Sequence, residues 1–135
     1  RLEADTLIAV IPAGDPLAGA SEVGLADFVP RGLVWFPEAQ MPTLRAQIQG
    51  AFREHGHAVD FVQEANRTLT VLACVASGVG WSLLPASVMA LRHEGVAYAR
   101  VRDGQALPAF LLSAMWRARS RPSLADNFAG LLRAQ

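Results

Sequence analysis

The chain contains no lysine. All twelve of its basic residues are arginines, and they balance twelve acidic residues to a net charge of zero over 135 residues. The absence of lysine excludes lysine Schiff-base catalysis and a Walker-type phosphate-binding lysine. The neutral balance also lacks the positive excess that is typical of a surface that binds nucleic acid. The composition therefore argues against direct DNA binding by this segment.

The chain has one cysteine, Cys74, which excludes an internal disulfide and a zinc site built from several cysteines. Its apolar neighbours in a predicted helix are typical of an inert buried thiol. His55 and His57 flank a glycine, and no third ligand is in range because His93 is isolated. The position of His55 at a helix end is explained by the helix dipole. The sequence predicts no metal and no cofactor.

No apolar run approaches the ~20 residues of a membrane-spanning helix, and there is no charged-then-apolar amino-terminal signal. A chain of 135 residues with 52% hydrophobic residues is typical of one globular domain. The first residue is Arg1 rather than methionine. From these features we expect a piece of a longer protein that makes no membrane contact.

Apolar runs bounded by glycine and proline predict strands at 6–12, 32–36, 58–62, 80–84, 96–101 and 108–115. The run at 6–12 is apolar almost throughout, which indicates a strand buried on both faces, as in parallel sheets. Residues 13–30 are predicted to form a long loop with one helical turn near 25–28.

Helical periodicity predicts a helix that begins at Pro42 and ends near His55-Gly56. Its predicted inward residues are Leu44, Ile48, Ala51 and Phe52. A second helix over 67–77, capped by Asn66, would bury Leu69, Leu72, Ala73 and Ala76. A short helix at 85–91 and an amphipathic helix at 122–134 complete the prediction. Strands that alternate with helices predict an α/β domain with a parallel or mixed sheet.

The stretch "VASGVGWSLLP" at 75–85 resembles a glycine-rich phosphate loop. Such a loop must follow a strand and open a helix, so that free backbone N–H groups meet the phosphate. Here the order is reversed, and Leu83 stands where a third glycine is required. We therefore expect Gly78 to end a helix in the left-handed conformation. The stretch is predicted to be structural.

Two strand ends are candidates for ligand contact. Trp35-Phe36-Pro37 ends a strand where an α/β fold places its crevice, with core packing as the alternative role for Phe36. The run from Gln63 to Thr68 joins a strand to a helix, where unpaired N–H groups face the crevice. Asn66 is either a ligand contact there or a plain helix cap. Scattered carboxylates such as Asp60 and Glu64 show no catalytic spacing.

Three stretches together resemble the effector-binding domain of LysR-type transcriptional regulators. They are "LIAVIPAGDPLAG" with "VGLADF" at 7–28, "LACVASGVGWSLLPASV" at 72–88 and "LLSAMWRA" at 111–118. The resemblance covers essentially the whole chain, and the second stretch is the most specific. Where the family often has His-Pro-Leu, this chain has Asp15-Pro16-Leu17, a mild departure in a predicted surface loop.

The resemblance implies a two-lobed fold like that of type 2 periplasmic binding proteins. Residues ~13–107 would form most of the second lobe, 6–12 and 108–117 the two crossover strands, and 122–134 a helix of the first lobe. A small-molecule effector, such as an organic acid or an aromatic, would bind between the lobes. The implied contacts are Ile11 and Pro12 at the hinge, with Trp35, Phe36, Pro37, Ala65, Asn66 and Thr68.

The same resemblance implies a homodimer or tetramer that binds DNA only through an amino-terminal helix-turn-helix outside this chain. Two alternatives remain at this stage. One is the solute-binding protein of a transporter, which has the same fold but needs a secretion signal. The other is an α/β enzyme that uses Asp60, Glu64 or a histidine. Fold by itself does not choose among them.

Overall fold

The computed structural model describes residues 4–108 and 110–111. Its strands are β1 (Ala4–Asp5), β2 (Leu7–Pro12), β3 (Glu22–Val23), β4 (Leu33–Trp35), β5 (Phe61–Glu64), β6 (Ser82–Pro85), β7 (Val96–Val101) and β8 (Phe110–Leu111). Its α-helices are α1 (Pro42–Glu54) and α2 (Thr68–Ala76), and 3₁₀ helices cover Leu25–Phe28, Ala86–Leu91 and Gly104–Ala106. The predicted helix at 122–134 and most of the strand at 108–117 lie outside the described residues.

The sheet is mixed, as predicted. Strands β3, β7, β2 and β6 lie side by side in that order, and β4 pairs with β5. A parallel bridge between Leu33 and Trp81 joins the two groups, with Val34 N–H donating to the Trp81 carbonyl at 2.7 Å. The resulting strand order is β3-β7-β2-β6-β4-β5.

Strand β2 runs opposite to every other strand of this sheet. It is antiparallel to both β6 and β7, whereas β3 is parallel to β7 and β4 to β5. The predicted burial of this strand is confirmed, but the expected parallel neighbours are not found. All the other strands therefore end at one end of the sheet, which we call the carboxyl end, and β2 begins there, since Leu7 lies opposite Pro85.

Helix α1 has the predicted bounds, with Pro42 in its first turn and Gly56 at a φ of 79° just after its end. Ile48, Ala51 and Phe52 are buried, as predicted. The Phe52 ring meets Phe28 edge-on at 5.7 Å, and Phe28 meets Trp81 at 5.0 Å. These aromatic contacts join α1 to the sheet through the Leu25–Phe28 turn, which also falls where it was predicted.

Helix α2 buries only part of the predicted face, since Leu72 is buried and Ala76 half-buried as predicted, but the rest of the buried face is different. The buried residues are Thr68, Val71, Leu72 and Val75, whereas Leu69 and Ala73 are exposed and Cys74 is half-buried. The helix is apolar on nearly all sides, so hydrophobic periodicity alone does not choose its inward face. Packing against β2 and β4 makes that choice.

Strand β3 was not predicted and lies inside the segment 13–30, which was predicted as a long loop with one helical turn. It has only two residues and pairs with β7 at Glu22–Arg100 and Val23–Val101. So short a strand has no periodic signal in sequence. Strand β5 begins three residues later than predicted and β6 two residues later. Within the described residues, no helix has the length and apolar character needed to cross a membrane.

Candidate functional site

The ends of β4 and β5 lie side by side at the carboxyl end of the sheet. Trp35 is registered with Glu64, and Ala65 N–H donates to the Trp35 carbonyl at 2.9 Å. After β4, the chain runs to β5, which lies on one side of β4. Strand β6 lies on the other side of β4, and after β6 the chain crosses the sheet to β7. The space between the ends of β4 and β6 is therefore a topological switch point, where open α/β sheets form their ligand crevices.

Both α-helices begin at this end of the sheet, and neither has a side-chain cap. Met41 and Arg67 occupy the cap positions without a capping hydrogen bond. The first hydrogen bonds are those of Arg45 N–H to Met41 and Val71 N–H to Arg67, each 3.0 Å long. The N–H groups of the preceding turn have no partner inside the helix. Two helix starts, with free donors and positive dipole ends, therefore lie at the carboxyl end of the sheet.

Asn66 does not cap α2. The structure places the cap at Arg67, and the Asn66 side chain is exposed and makes no hydrogen bond to another described residue. The predicted cap is therefore wrong, and a ligand contact stays open as the role of Asn66. Thr68 is the first residue of α2 and is buried together with Ala65. These three residues form one short surface beside the end of β4.

The aromatic side chains of the predicted site belong to the core. Trp35 is 1% exposed, and its indole N–H donates to the Leu83 carbonyl at 3.0 Å. Phe36 is also buried and meets Trp35 edge-on at 5.4 Å. Core packing, the alternative weighed for Phe36, is what the structure shows. Of the three residues in this segment, only Pro37 is half-buried rather than buried.

Ile11 and Pro12 are not brought together with the other predicted site residues. Pro12 lies opposite Val96, where β7 begins, and Val10 lies opposite Ser82, where β6 begins. Ile11 is thus about 13 Å along β2 from Leu7, at four residues of about 3.4 Å each. The reversed direction of β2 places them at the amino end of the sheet. Six of the eight predicted residues remain at the carboxyl end.

Arg45 also lies at the carboxyl end of the sheet, although it was not among the predicted site residues. Its Nη1 donates to Glu64 Oε2 at 3.0 Å and to the Phe36 carbonyl at 3.4 Å. Its guanidinium carbon lies 4.0 Å from the centre of the Phe61 ring. The signal available in the sequence was an arginine in the first turn of a predicted helix, because the side chain of such a residue leans back towards the helix start.

Asp15 is built into a network at the amino end of the sheet. It accepts hydrogen bonds from Arg31 Nε at 2.9 Å, the Trp81 indole at 3.0 Å and Leu17 N–H at 2.9 Å. Burial by itself would raise the pKa of Asp15, but these hydrogen bonds and the Arg31 charge outweigh burial and lower the pKa. The loop lies at the surface, as expected, since Ala13, Gly14 and Pro16 are exposed, but the side chain of Asp15 is only 11% exposed.

The glycine stretch at 75–85 is structural, as predicted. Gly78 has a φ of 86° just after the end of α2. At Gly80, an added Cβ would come within 3.1 Å of the Arg31 and Gly32 carbonyl oxygens. The first glycine therefore ends a helix, and the second lets two backbones approach closely.

The remaining chemistry candidates are separated from one another. Asp60 is exposed just before β5, whereas Glu64 ends that strand in an ion pair with Arg45. His55 Nδ1 lies 3.1 Å from the Ala51 carbonyl at the end of α1, as expected for a histidine near a helix carboxyl end. No group of three potential metal ligands occurs within residues 4–108 and 110–111. A groove of about 290 Å³ beside α1 includes none of the predicted site residues.

Solved structures define the class of protein first. The structure resembles the effector-binding domain of BenM with its effector benzoate, at a TM-score of 0.67 and 22% identity, over 80% of this chain and 50% of that one. It also resembles the effector-binding domain of QuiR in complex with shikimate, at 0.63 and 20%, over 80% and 49%. The fold is that of LysR effector-binding domains, which is like that of type 2 periplasmic binding proteins.

Sequence comparison then gives the family. A family model described as the LysR substrate binding domain matches residues 1–135, so the chain belongs to this family. It is 32% identical over 109 residues to the HTH-type transcriptional regulator CatR of Pseudomonas putida, covering 81% of this chain and 37% of CatR. It is 33% identical over 133 residues to IlvR of Caulobacter vibrioides, covering 98% and 42%. The chain thus spans about two fifths of the length of these regulators, and the resemblance described above is confirmed.

Proposed function

We propose that this chain is the effector-sensing part of a cytoplasmic LysR-type transcriptional regulator. Support comes from the family match over the whole chain and from relatives that are transcriptional regulators. Because those relatives are neither transport proteins nor enzymes, we prefer a regulator to both alternatives. The complete protein would be a homodimer or tetramer and would bind DNA through a helix-turn-helix outside this chain.

The proposed lobe organisation is the one that the resemblance implies. Residues ~13–107 form most of the second lobe, 6–12 and 108–117 are the crossover strands, and 122–134 belong to the first lobe. The pairing of β1 with β8, at Ala4–Leu111 and Asp5–Phe110, supports adjacent crossovers at the carboxyl end of the sheet. The interlobe cleft then lies against the ends of β4 and β5.

The proposed effector surface consists of residues 35–37 with Ala65, Asn66 and Thr68. Ile11 and Pro12 are left out because they lie at the amino end of the sheet. The observation that carries the assignment is the pair of uncapped helix starts that follow β4 and β5 at the carboxyl end of the sheet. Backbone N–H groups and positive dipole ends favour a negatively charged group. We therefore propose a small organic acid as the effector.

Sensing would be a shift between two arrangements of the lobes. An effector that contacts both lobes stabilises the arrangement in which both sets of contacts form, and it does so only by its difference in affinity for the two arrangements. In an oligomer, closure of each cleft changes the spacing of the DNA-binding domains. The proposed role needs no covalent chemistry, so we propose a sensor and not an enzyme.

The test uses the complete protein that contains this chain and a thermal-shift screen of small carboxylates, including benzoate and shikimate. Each carboxylate is paired with its uncharged amide. We expect a carboxylate, and not its amide, to raise the melting temperature. Asn66→Ala and Thr68→Ala should each weaken binding about tenfold, because a hydrogen bond to a charged group contributes about 1.5–3 kcal/mol.

Thr70→Ala is the matched control, since Thr70 is on the same helix and is exposed. Its affinity should equal that of the unchanged protein. Equal affinity in the Asn66 and Thr68 variants would contradict the proposed surface. Conversion of any ligand to a product during the screen would contradict the sensor and favour an enzyme.

A further inference from the structure

Arg45 contacts both segments that lead into the proposed effector surface. Through Nη1 it is bonded to the Phe36 carbonyl, in the segment that follows β4, and to Glu64, the last residue of β5. Arg45 is itself in the first turn of α1. One guanidinium therefore joins the end of β4, the end of β5 and the start of a helix.

The Arg45 side chain is too enclosed to act as a free anion receptor. It is 14% exposed, whereas its partner Glu64 is 50% exposed. The guanidinium also stacks on the Phe61 ring, and a cation stacked on an aromatic ring is held by the ring as well as by its hydrogen bonds. The planar group, with its forked donors, can bond a carboxylate and a carbonyl at once. These contacts indicate that the Arg45 side chain is held in one position.

The position of Arg45 matters because the neighbouring backbone carries the proposed binding groups. Glu64 is directly followed by Ala65, Asn66 and the start of α2, and Phe36 is followed by Pro37 and the segment into α1. The pairing of β4 with β5 ends at Trp35–Glu64, and the Ala65–Trp35 hydrogen bond is the last backbone link beyond it. If the Arg45 contacts are lost, this strand pairing, that hydrogen bond and Phe61 packing remain, but no side-chain hydrogen bond among the described residues joins the segments that follow the two strands.

We infer that Arg45 is a positioning residue of the effector surface, holding the segments after β4 and β5 at the spacing that lets both helix starts meet one ligand. This inference rests on the proposed function for its purpose, but the contacts themselves make a prediction that needs no ligand. The residue acts through the backbone at 36–37 and 64–66 and does not contact the effector.

The test measures amide hydrogen exchange by NMR in the 135-residue chain, without ligand. Arg45→Met keeps the packing on Phe61 but removes every donor. We expect the Ala65 amide to exchange about fivefold faster in this variant, a size typical of a partly exposed charged contact. The Arg102 amide, which donates to Val23 at the far side of the sheet at 2.8 Å, should not change. Arg45→Lys keeps a charged donor and should restore most of the protection at Ala65.

Two further variants separate a local effect from a general one. Arg53→Met is the matched control, because Arg53 lies on the same helix and is exposed; it should leave both amides unchanged. Glu64→Gln removes the ion pair at an exposed position and should give a smaller increase at Ala65. Faster exchange at Ala65 and Arg102 together, or no change at Ala65, would overturn the inference.

A binding measurement then distinguishes this inference from the proposed function. With benzoate or shikimate as the probe, whichever stabilises the complete protein, Arg45→Met should weaken binding about fivefold at an unchanged melting temperature. Full affinity in Arg45→Met would overturn the inference. If neither probe binds the unchanged protein, the proposed ligand class fails, and the exchange result at Ala65 still decides the role of Arg45.

Discussion

Asp15 shows how one side chain can join three separate parts of the chain. Its carboxylate contacts Arg31, which follows the Leu25–Phe28 turn, and Trp81, which precedes β6. Arg31 also lies over the Trp81 ring, with its guanidinium carbon 4.6 Å from the ring centre. A partly buried carboxylate is stable only when its lost hydration is replaced by donors and charge. Here the donors and the Arg31 charge are sufficient to lower the pKa of Asp15.

Asp15→Asn should destabilise the chain by about 2 kcal/mol at pH 7, because the variant loses charge-assisted hydrogen bonds. The folded-state pKa of Asp15 lies below its ordinary value of 3.8. The unfolded chain therefore binds this proton first as the pH falls. The contribution is present in full above pH 3.8 and is lost as the pH falls through the lower folded-state pKa.

Urea unfolding at pH 7 and near pH 3 checks this prediction, with Asp60→Asn as the control. Asp60 is exposed, so its variant should match the unchanged chain at both pH values. The free-energy difference between Asp15→Asn and the unchanged chain should shrink at the lower pH. A difference that stays constant with pH would show that the Asp15 charge makes no contribution.

At the scale of the elements, glycine performs two different tasks. Gly78 has a positive φ but open space around the position of a Cβ. Gly32 has a φ of 78°, and a Cβ there would also collide with the Val62 side chain of β5. Val62 covers Gly32 and is 46% exposed, although it is a large apolar residue. The first glycine serves backbone conformation alone, and the second serves conformation and the packing of β4 against β5.

Gly78→Ala should therefore cost about 1 kcal/mol of unfolding free energy, the usual penalty of a left-handed non-glycine residue. Gly32→Ala should cost more, about 2–4 kcal/mol, because the steric conflict with Val62 adds to that penalty. Denaturant titration of both variants measures the two costs.

Val62→Ala provides the check on the packing argument. In the Gly32→Ala background it should recover part of the loss, whereas in the Gly78→Ala background it should recover nothing. Equal effects of Val62→Ala in the two backgrounds would mean that strain at Gly32 is conformational only. A double-mutant cycle gives the coupling free energy directly.

At the scale of the whole molecule, the direction of β2 determines which end of the sheet the chain enters and therefore where the proposed site would lie. Because β2 begins at the carboxyl end, β1 and its partner β8 come to that end as well. The connections towards the proposed first lobe, the ends of β4 and β5, and the starts of α1 and α2 thus occupy one side of the domain. A ligand there would contact both the sheet and anything joined through β1 and β8.

The neutral charge makes a prediction for the chain as a whole. With equal numbers of acidic and basic residues, the 135-residue chain should not bind DNA, since non-specific binding comes from phosphate neutralisation and counterion release. Fluorescence anisotropy of a labelled duplex at low salt should show no association with this chain. The complete protein should bind and should lose affinity as salt rises. Salt-dependent binding by the chain itself would contradict the assignment of DNA contact to a separate domain.

Much of the architecture was predictable from local patterns. Helix α1, the Leu25–Phe28 turn, strand β7 and the helix-ending role of Gly78 follow from period, proline and glycine, which act within a few residues. The ends of β4 and β5 were also predictable as a candidate site, because strand-to-helix junctions in α/β folds carry free N–H groups. The missing cap at Asn66 was not predictable, since the cap position depends on where packing starts the helix.

The sequence by itself determined the α/β class and the family, because composition, periodicity and motifs are properties of the chain. Only the tertiary structure decided which face of α2 is buried, that Ile11 and Pro12 lie away from the other candidates, and that Arg45 and Asp15 are anchored. Those outcomes depend on the direction of β2 and on contacts between residues far apart in the chain. Such contacts cannot be derived from local patterns, because the two partners come together only in the fold.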